Sequence, residues 1–186
     1  MLKIFAMSPE AIIQRYYKED TVAYTILIEH SREVTRKAMS IIEQLPDLRV
    51  DVQFVHEAAM LHDIGIFLTD APSIDCHGDM PYICHGYLGA ELLRQQGLPR
   101  HALVCERHVG TGITPEMVVK NEWPLPCREM VPQSLEEQLI CFADTFFSKT
   151  EPGKEKSIDR VREKIEKYGG KDSLARFNHW GDLFLV

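Results

Sequence analysis

Residues 58–65 read Ala58-Ala59-Met60-Leu61-His62-Asp63-Ile64-Gly65: four small or apolar side chains, an imidazole beside a carboxylate, then Ile64 and a glycine. Apolar residues at that density belong in a core, where a histidine and an aspartate are disfavoured unless each finds a partner. Working back from the pair, Val55, Ala59 and His62 recur at helical spacing after Asp51, an N-cap residue type, so the spacing predicts a helix that Gly65 ends. Before it a longer helix is predicted from Asp20 or Thr21 to about Leu45, with Ile26, His30, Val34, Ala38 and Ile41 on one stripe and Pro46 just beyond. Ser8-Pro9-Glu10 opens a short helix ahead of that.

Beyond Gly65 the pattern stays helical. Residues 67–84 read as a loop, a helix covers about 86–96 and stops at Gly97, and Pro99 opens another to about Val109. Between Gly110 and Gln133, Pro115, Pro124, Pro126 and Pro132 allow at most one short helix, and connections that long are usually functional or mobile. Ser134-Leu135-Glu136-Glu137 is a capping box for a helix predicted to end near Lys149. Glu151-Pro152-Gly153 breaks it, and amphipathic segments at about 157–168 and 172–184 close the chain. No alternating run makes a convincing strand, so the expected fold is all-α, one compact helical bundle over residues 1–186.

Composition narrows the function. The chain has 186 residues, 45% hydrophobic and 26% charged, as in a globular domain able to bury ~70% of its unfolded surface. A net charge of −7 without a basic run lacks the lysine and arginine footprint expected of a groove for nucleic acid or a patch for anionic membranes, so neither partner is expected. The apolar run before Ser8-Pro9 is too short for a secretory leader, and no stretch approaches the ~20 apolar residues of a membrane span. Five scattered cysteines without a Cys-x-x-Cys pair read as reduced thiols, which makes the cytoplasm the expected location.

Eight histidines are the unusual feature. His30 falls on an apolar stripe, His62-Asp63 ends a core helix, His85 opens the fourth helix, and His108 closes the fifth. Asp144 sits in Ile140-Cys141-Phe142-Ala143-Asp144-Thr145-Phe146-Phe147, read as the middle of its helix. Four imidazoles and two carboxylates exceed what one tetrahedral structural zinc needs. They suit a two-metal site in which Asp63 bridges, water is acidified and a phosphoryl group is clamped.

Leu61-His62-Asp63-Ile64-Gly65, with the order His30, His62-Asp63, His85, His108, Asp144, resembles the HD-domain superfamily, all-helical metal-dependent enzymes that are mostly phosphohydrolases. The six-residue set resembles its dinuclear branch over about residues 30–150. His85-Gly86-Tyr87-Leu88-Gly89-Ala90 and Arg107-His108-Val109-Gly110-Thr111-Gly112 are similar to bacterial members that hydrolyse dinucleoside polyphosphates. The resemblance implies an HD core over about 20–150, C-terminal helices at about 157–184, and one metal held by His30, His62, Asp63 and Asp144. Asp63 would be shared with a second metal held by His85 and His108, and would orient a metal-bound hydroxide. Two divalent cations are implied, iron first, with Mn, Co, Ni, Zn or Mg as alternatives. Many relatives carry a lysine directly after the HDIG tetrapeptide; here Ile66 stands there.

Arg107, Thr111, Ser148 and Lys149 are candidates for the anionic part of a small phosphorylated or nucleotide substrate. His101 is read as surface, and His56, His179 and the Cys76-His77/Cys84 group receive no role. Trp123-Pro124-Leu125-Pro126 reads equally as a packed loop, a lid or a contact between copies in a homodimer. The rival readings are an HD-type di-iron oxygenase of a small anionic substrate and a non-catalytic nucleotide-binding module.

Overall fold

A computed structural model describes residues 8–185. The segment on which the argument about a secretory leader rests lies outside those residues. The described helices are α1 (Pro9–Ile13), α2 (Val22–Gln44), α3 (Val52–Leu61), α4 (His85–Gln95), α5 (Pro99–Arg107), α6 (Pro115–Lys120), α7 (Leu135–Asp144) and α8 (Ile158–Phe184). The expected all-α class therefore holds. Several helices start at side-chain caps of the kind the sequence advertises: Ser8 accepts from the Ala11 amide, Asp51 from Phe54 and Ser134 from Glu137.

Helix α2 packs against α3 and α7, α3 against α5, and α4 against α5. Two apolar clusters form the core. One joins Val34, Ala38, Val55 and Ala58 to Leu139, Phe142, Phe177, Trp180 and Phe184, so that α8 closes one side of the bundle. The other joins Ile13, Leu27, Leu61, Ile64, Leu93 and Cys105. Helix α3 contributes Ala58 and Ala59 to the first cluster and Met60 and Leu61 to the second, which carries His62 and Asp63 into the interior of the molecule. A smaller cluster of Ile113, Val118, Leu125 and Met130, with Trp123 against it, fills the space beneath the 110–133 connection.

Three expectations need correction. Residues 67–84 are not an irregular loop alone: β1 (Thr69–Ala71) pairs antiparallel with β2 (Cys76–His77) and parallel with β3 (Met80–Pro81), in the order β2-β1-β3. Strands this short contain too few residues to show an alternation. Helix α3 ends at Leu61, before Gly65, because the chain tightens into turns in which Ile64 N donates to Leu61 O and Ile66 N to Asp63 O. Helix α7 ends at Asp144 and does not continue to Lys149. Lys156 takes its next carbonyls, through its backbone N to Phe146 O (2.9 Å) and its ammonium to Thr145 O (3.2 Å) and Phe147 O. Helix α8 spans both predicted C-terminal segments, which meet at a break at Gly170 (φ 75°, ψ −170°).

Two glycines bring α4 against the turn after α3. A Cβ on Gly65 would lie 2.3 Å from His85 O and 2.4 Å from Gly89 N, and one on Gly89 would lie 2.9 Å from Gly65 N. This backbone contact carries His85 to the His62-Asp63 turn.

Candidate metal centre

His30 comes from the middle of α2, His62 and Asp63 from the turn after α3, His85 from the first position of α4, His108 from the C-terminal cap of α5 and Asp144 from the last position of α7. The structure brings all six together. His62 and Asp63 are fully buried, and His30, His85 and His108 are nearly so.

The two oxygens of Asp63 face different partners. Oδ2 lies 3.1 Å from His30 Nε2 and 3.0 Å from His62 Nε2, whereas Oδ1 lies 3.3 Å from both His85 Nε2 and His108 Nε2. Asp144 Oδ1 adds to the first group, 2.9 Å from His30 Nε2 and 3.6 Å from His62 Nε2. Two donor groups thus share one carboxylate: His30, His62, Asp63 and Asp144, and Asp63, His85 and His108.

Three of the rings are held the same way. His62 Nδ1 donates to Ala59 O (2.6 Å), His85 Nδ1 to Tyr82 O (2.6 Å) and His108 Nδ1 to Cys105 O (2.8 Å), each three residues back. A ring whose Nδ1 carries the proton presents a lone pair on Nε2 when neutral, the form that binds a metal. In those neutral forms, His85 Nε2 and His108 Nε2, 3.2 Å apart, are two acceptors turned on each other. His30 Nε2, His62 Nε2 and both Asp63 oxygens are buried without a well-aligned hydrogen bond among the described residues, although they lie within ion-pair range. Buried lone pairs converging in this manner fit a cation, which would satisfy them together.

Within the cluster the buried charges compensate one another. Burial by itself would raise the Asp63 carboxyl, but His62 and then Lys149 outweigh it and hold the group well below the usual carboxylate range. Asp144 is likewise held low, by the adjacent His30 and His62 imidazoles, which overcome its burial. His62, which burial would push down, is drawn up to about 10 by Asp63 and Asp144. His108 goes the other way: its burial outweighs the pull of Asp63, and His62 and His85 repel its proton.

The candidate substrate contacts divide. Lys149 reaches the centre, with its Nζ 2.5 Å from Asp63 Oδ2 and its side chain almost buried. Arg107 is committed elsewhere: its guanidinium pairs with both oxygens of Glu137 at 3.1 and 2.9 Å, nearly two turns before Asp144 on α7. Ser148 Oγ shares a hydrogen bond with Thr150 Oγ1 (3.1 Å). Thr111 is buried, and its hydroxyl has no partner among the described residues. His101, read as surface from the sequence, is largely covered and pairs with Glu57 at 3.2 Å.

Two residues the sequence reading passed over matter here. Tyr17 donates to Ile64 O (2.9 Å) and accepts from Phe67 N (3.2 Å), clamping the turn that follows His62-Asp63. Tyr82 stacks on His85, with ring centroids 4.5 Å apart, and stays partly exposed. No local periodicity marks either one, because their partners lie far along the chain or depend on a short turn.

Fold and centre together define a class: a helical domain whose core holds a histidine and aspartate cluster able to bind metal ions. The HD domain family model matches residues 27–147, and the chain belongs to that family. An uncharacterized protein of Methanocaldococcus jannaschii is 36% identical over 149 residues, covering 78% of this chain and 79% of its own. Proteins named tRNA (cytidine(56)-2'-O)-methyltransferase from Thermoplasma volcanium and Picrophilus torridus are each 30% identical over 151 residues. Those matches cover 81% and 79% of this chain but only 39% and 37% of the methyltransferases. No solved structure gives a significant match.

Proposed function

We propose that the chain is a metal-dependent phosphohydrolase that acts on a nucleotide or another small phosphate ester and binds two divalent cations. The carrying observation is the division of Asp63, whose Oδ2 faces His30 and His62 while Oδ1 faces His85 and His108. Cations bound there supply Lewis acidity for a phosphoryl oxygen and lower the pKa of water. Asp63 fixes the spacing of the two donor groups, and the Ala59, Tyr82 and Cys105 carbonyls hold three imidazoles in register. Burial of the centre keeps competing water out and strengthens its charges. HD-domain membership favours hydrolysis over the di-iron oxygenase and non-catalytic alternatives.

A second reading concerns the substrate's carrier. Because this domain resembles a stretch of proteins named as tRNA methyltransferases, the phosphate can also be one borne on an RNA end. The chain's net charge of −7 disfavours an extended RNA contact.

The test is a panel of mononucleotides, dinucleoside polyphosphates, sugar phosphates and RNA-end phosphates with Mn²⁺, Fe²⁺, Co²⁺ or Mg²⁺. Metal-dependent release of phosphate or nucleotide, lost in Asp63→Ala, is expected. Wild-type and Asp63→Ala protein that are equally inactive across the panel would remove the hydrolase reading, and substrate-dependent O₂ consumption by iron-loaded protein would replace it with the oxygenase.

A further inference from the structure

We propose that Lys149 is a tethered cation that occupies Asp63 until metal binds and then turns to the substrate, selecting compounds that end in a phosphate monoester. The proposal rests on the two-cation reading above. Its starting point is one oxygen: Asp63 Oδ2 is faced by His30 Nε2, by His62 Nε2 and by Lys149 Nζ at 2.5 Å. An ammonium and a divalent cation against the same buried oxygen repel each other strongly, since the interior screens them poorly. Lys149 and a metal therefore compete for Asp63.

The surroundings decide where the displaced ammonium goes. Its backbone is anchored on both sides. Lys156 ties down the 145–147 carbonyls, and Glu151 N donates to Ser148 O (3.0 Å). Only the four-carbon stem is free to swing. On its open side stands Tyr82, with Lys149 Nζ 5.9 Å from the ring centroid and the ring partly exposed and stacked on His85. An ammonium withdrawn from Asp63 in this partly dry setting needs another anion. A terminal phosphate, with several oxygens and a double negative charge, can meet the metal centre and Lys149 at once, as a diester with fewer free oxygens cannot do as well. Arg107, bound to Glu137, does not compete for that role.

Removing the ammonium should have two effects of opposite sign. Lys149→Met and Lys149→Gln are compared with wild type as full-length, metal-stripped protein, after thermal melts establish that each folds. Mn²⁺ affinity is measured by calorimetric titration without substrate. Inorganic phosphate binding to the Mn²⁺-loaded protein is measured separately, along with KM for a monoester and for a diester. The expected result is several-fold tighter Mn²⁺ binding in both variants, about tenfold or more weaker phosphate binding, and a KM increase confined to the monoester. Unchanged or weaker Mn²⁺ binding overturns the competition, and unchanged phosphate binding overturns the substrate role. Mn²⁺ uptake without the opposed shifts would refute this inference alone, whereas a wild-type chain that takes up no Mn²⁺ would refute the two-cation reading and this one with it.

Discussion

Replacing Gly65 by alanine should separate the two halves of the centre. The added Cβ would lie 2.3 Å from His85 O, 2.4 Å from Gly89 N and 2.8 Å from Gly89 Cα, roughly 1 Å inside ordinary contact for the closest pair. All three atoms are backbone, so no side chain can rotate aside, and helix α4 and the 62–65 turn must move apart. Overpacking of this kind costs about 1–3 kcal/mol, which for a domain of this size lowers Tm by roughly 2–12 °C. The shift acts directly on His85, whose Nε2 lies 3.3 Å from Asp63 Oδ1. A movement of about 1 Å away takes that donor out of reach of a cation shared with Asp63, because metal–ligand distances tolerate only about 0.2 Å. His30, His62 and Asp144, on α2, the α3 turn and α7, are not carried by α4. On the two-cation reading, Gly65→Ala should therefore lose the metal that His85 and His108 would share and keep the other. Elemental analysis after dialysis, together with a melt, reads both effects: on that reading, a fall from the proposed two metals per chain to one, and a lower Tm. Full metal content with an unchanged Tm would refute the view that the Gly65–Gly89 contact positions His85.

Two further outcomes follow from groups near the centre. Tyr17→Phe leaves Ile64 O and Phe67 N without their shared phenol and should cost about 1–3 kcal/mol in urea unfolding; a loss under about 0.5 kcal/mol would mean water takes over both bonds. Burial raises the thiols of Cys105 and Cys141 well above 9.0, so in the unfolded chain they ionise first. Their contribution to stability is present in full below pH 9 and is lost as pH rises above it. Urea midpoints should accordingly fall between pH 9 and 10.5, and less steeply in Cys105→Ala and Cys141→Ala; identical slopes in all three proteins would show that other groups set the alkaline limit.

The difference between what could be read early and what could not is physical. Helices α2, α3 and α4 are stamped by signals within a few residues, such as Asp51 capping Phe54 or the stripe through His30, Val34 and Ala38. The ends of α3 and α7 escaped the same reading because the carbonyls just beyond them take partners far along the chain: Ile64 O accepts from Tyr17, and Phe146 O from Lys156. The three short strands escaped because they hold two or three residues each.

The sequence by itself determined the helical class and the order of the six candidate ligands, since both lie in local periodicity and residue chemistry. It also held the departure at Ile66 in plain view. Tertiary structure alone decided that Asp63 turns one oxygen to His30 and His62 and the other to His85 and His108. It decided, too, that Lys149 reaches Asp63 while Arg107 is taken by Glu137. Those choices depend on how closely helices far apart in the chain approach one another, and at the centre that approach is set by the absence of side chains at Gly65 and Gly89.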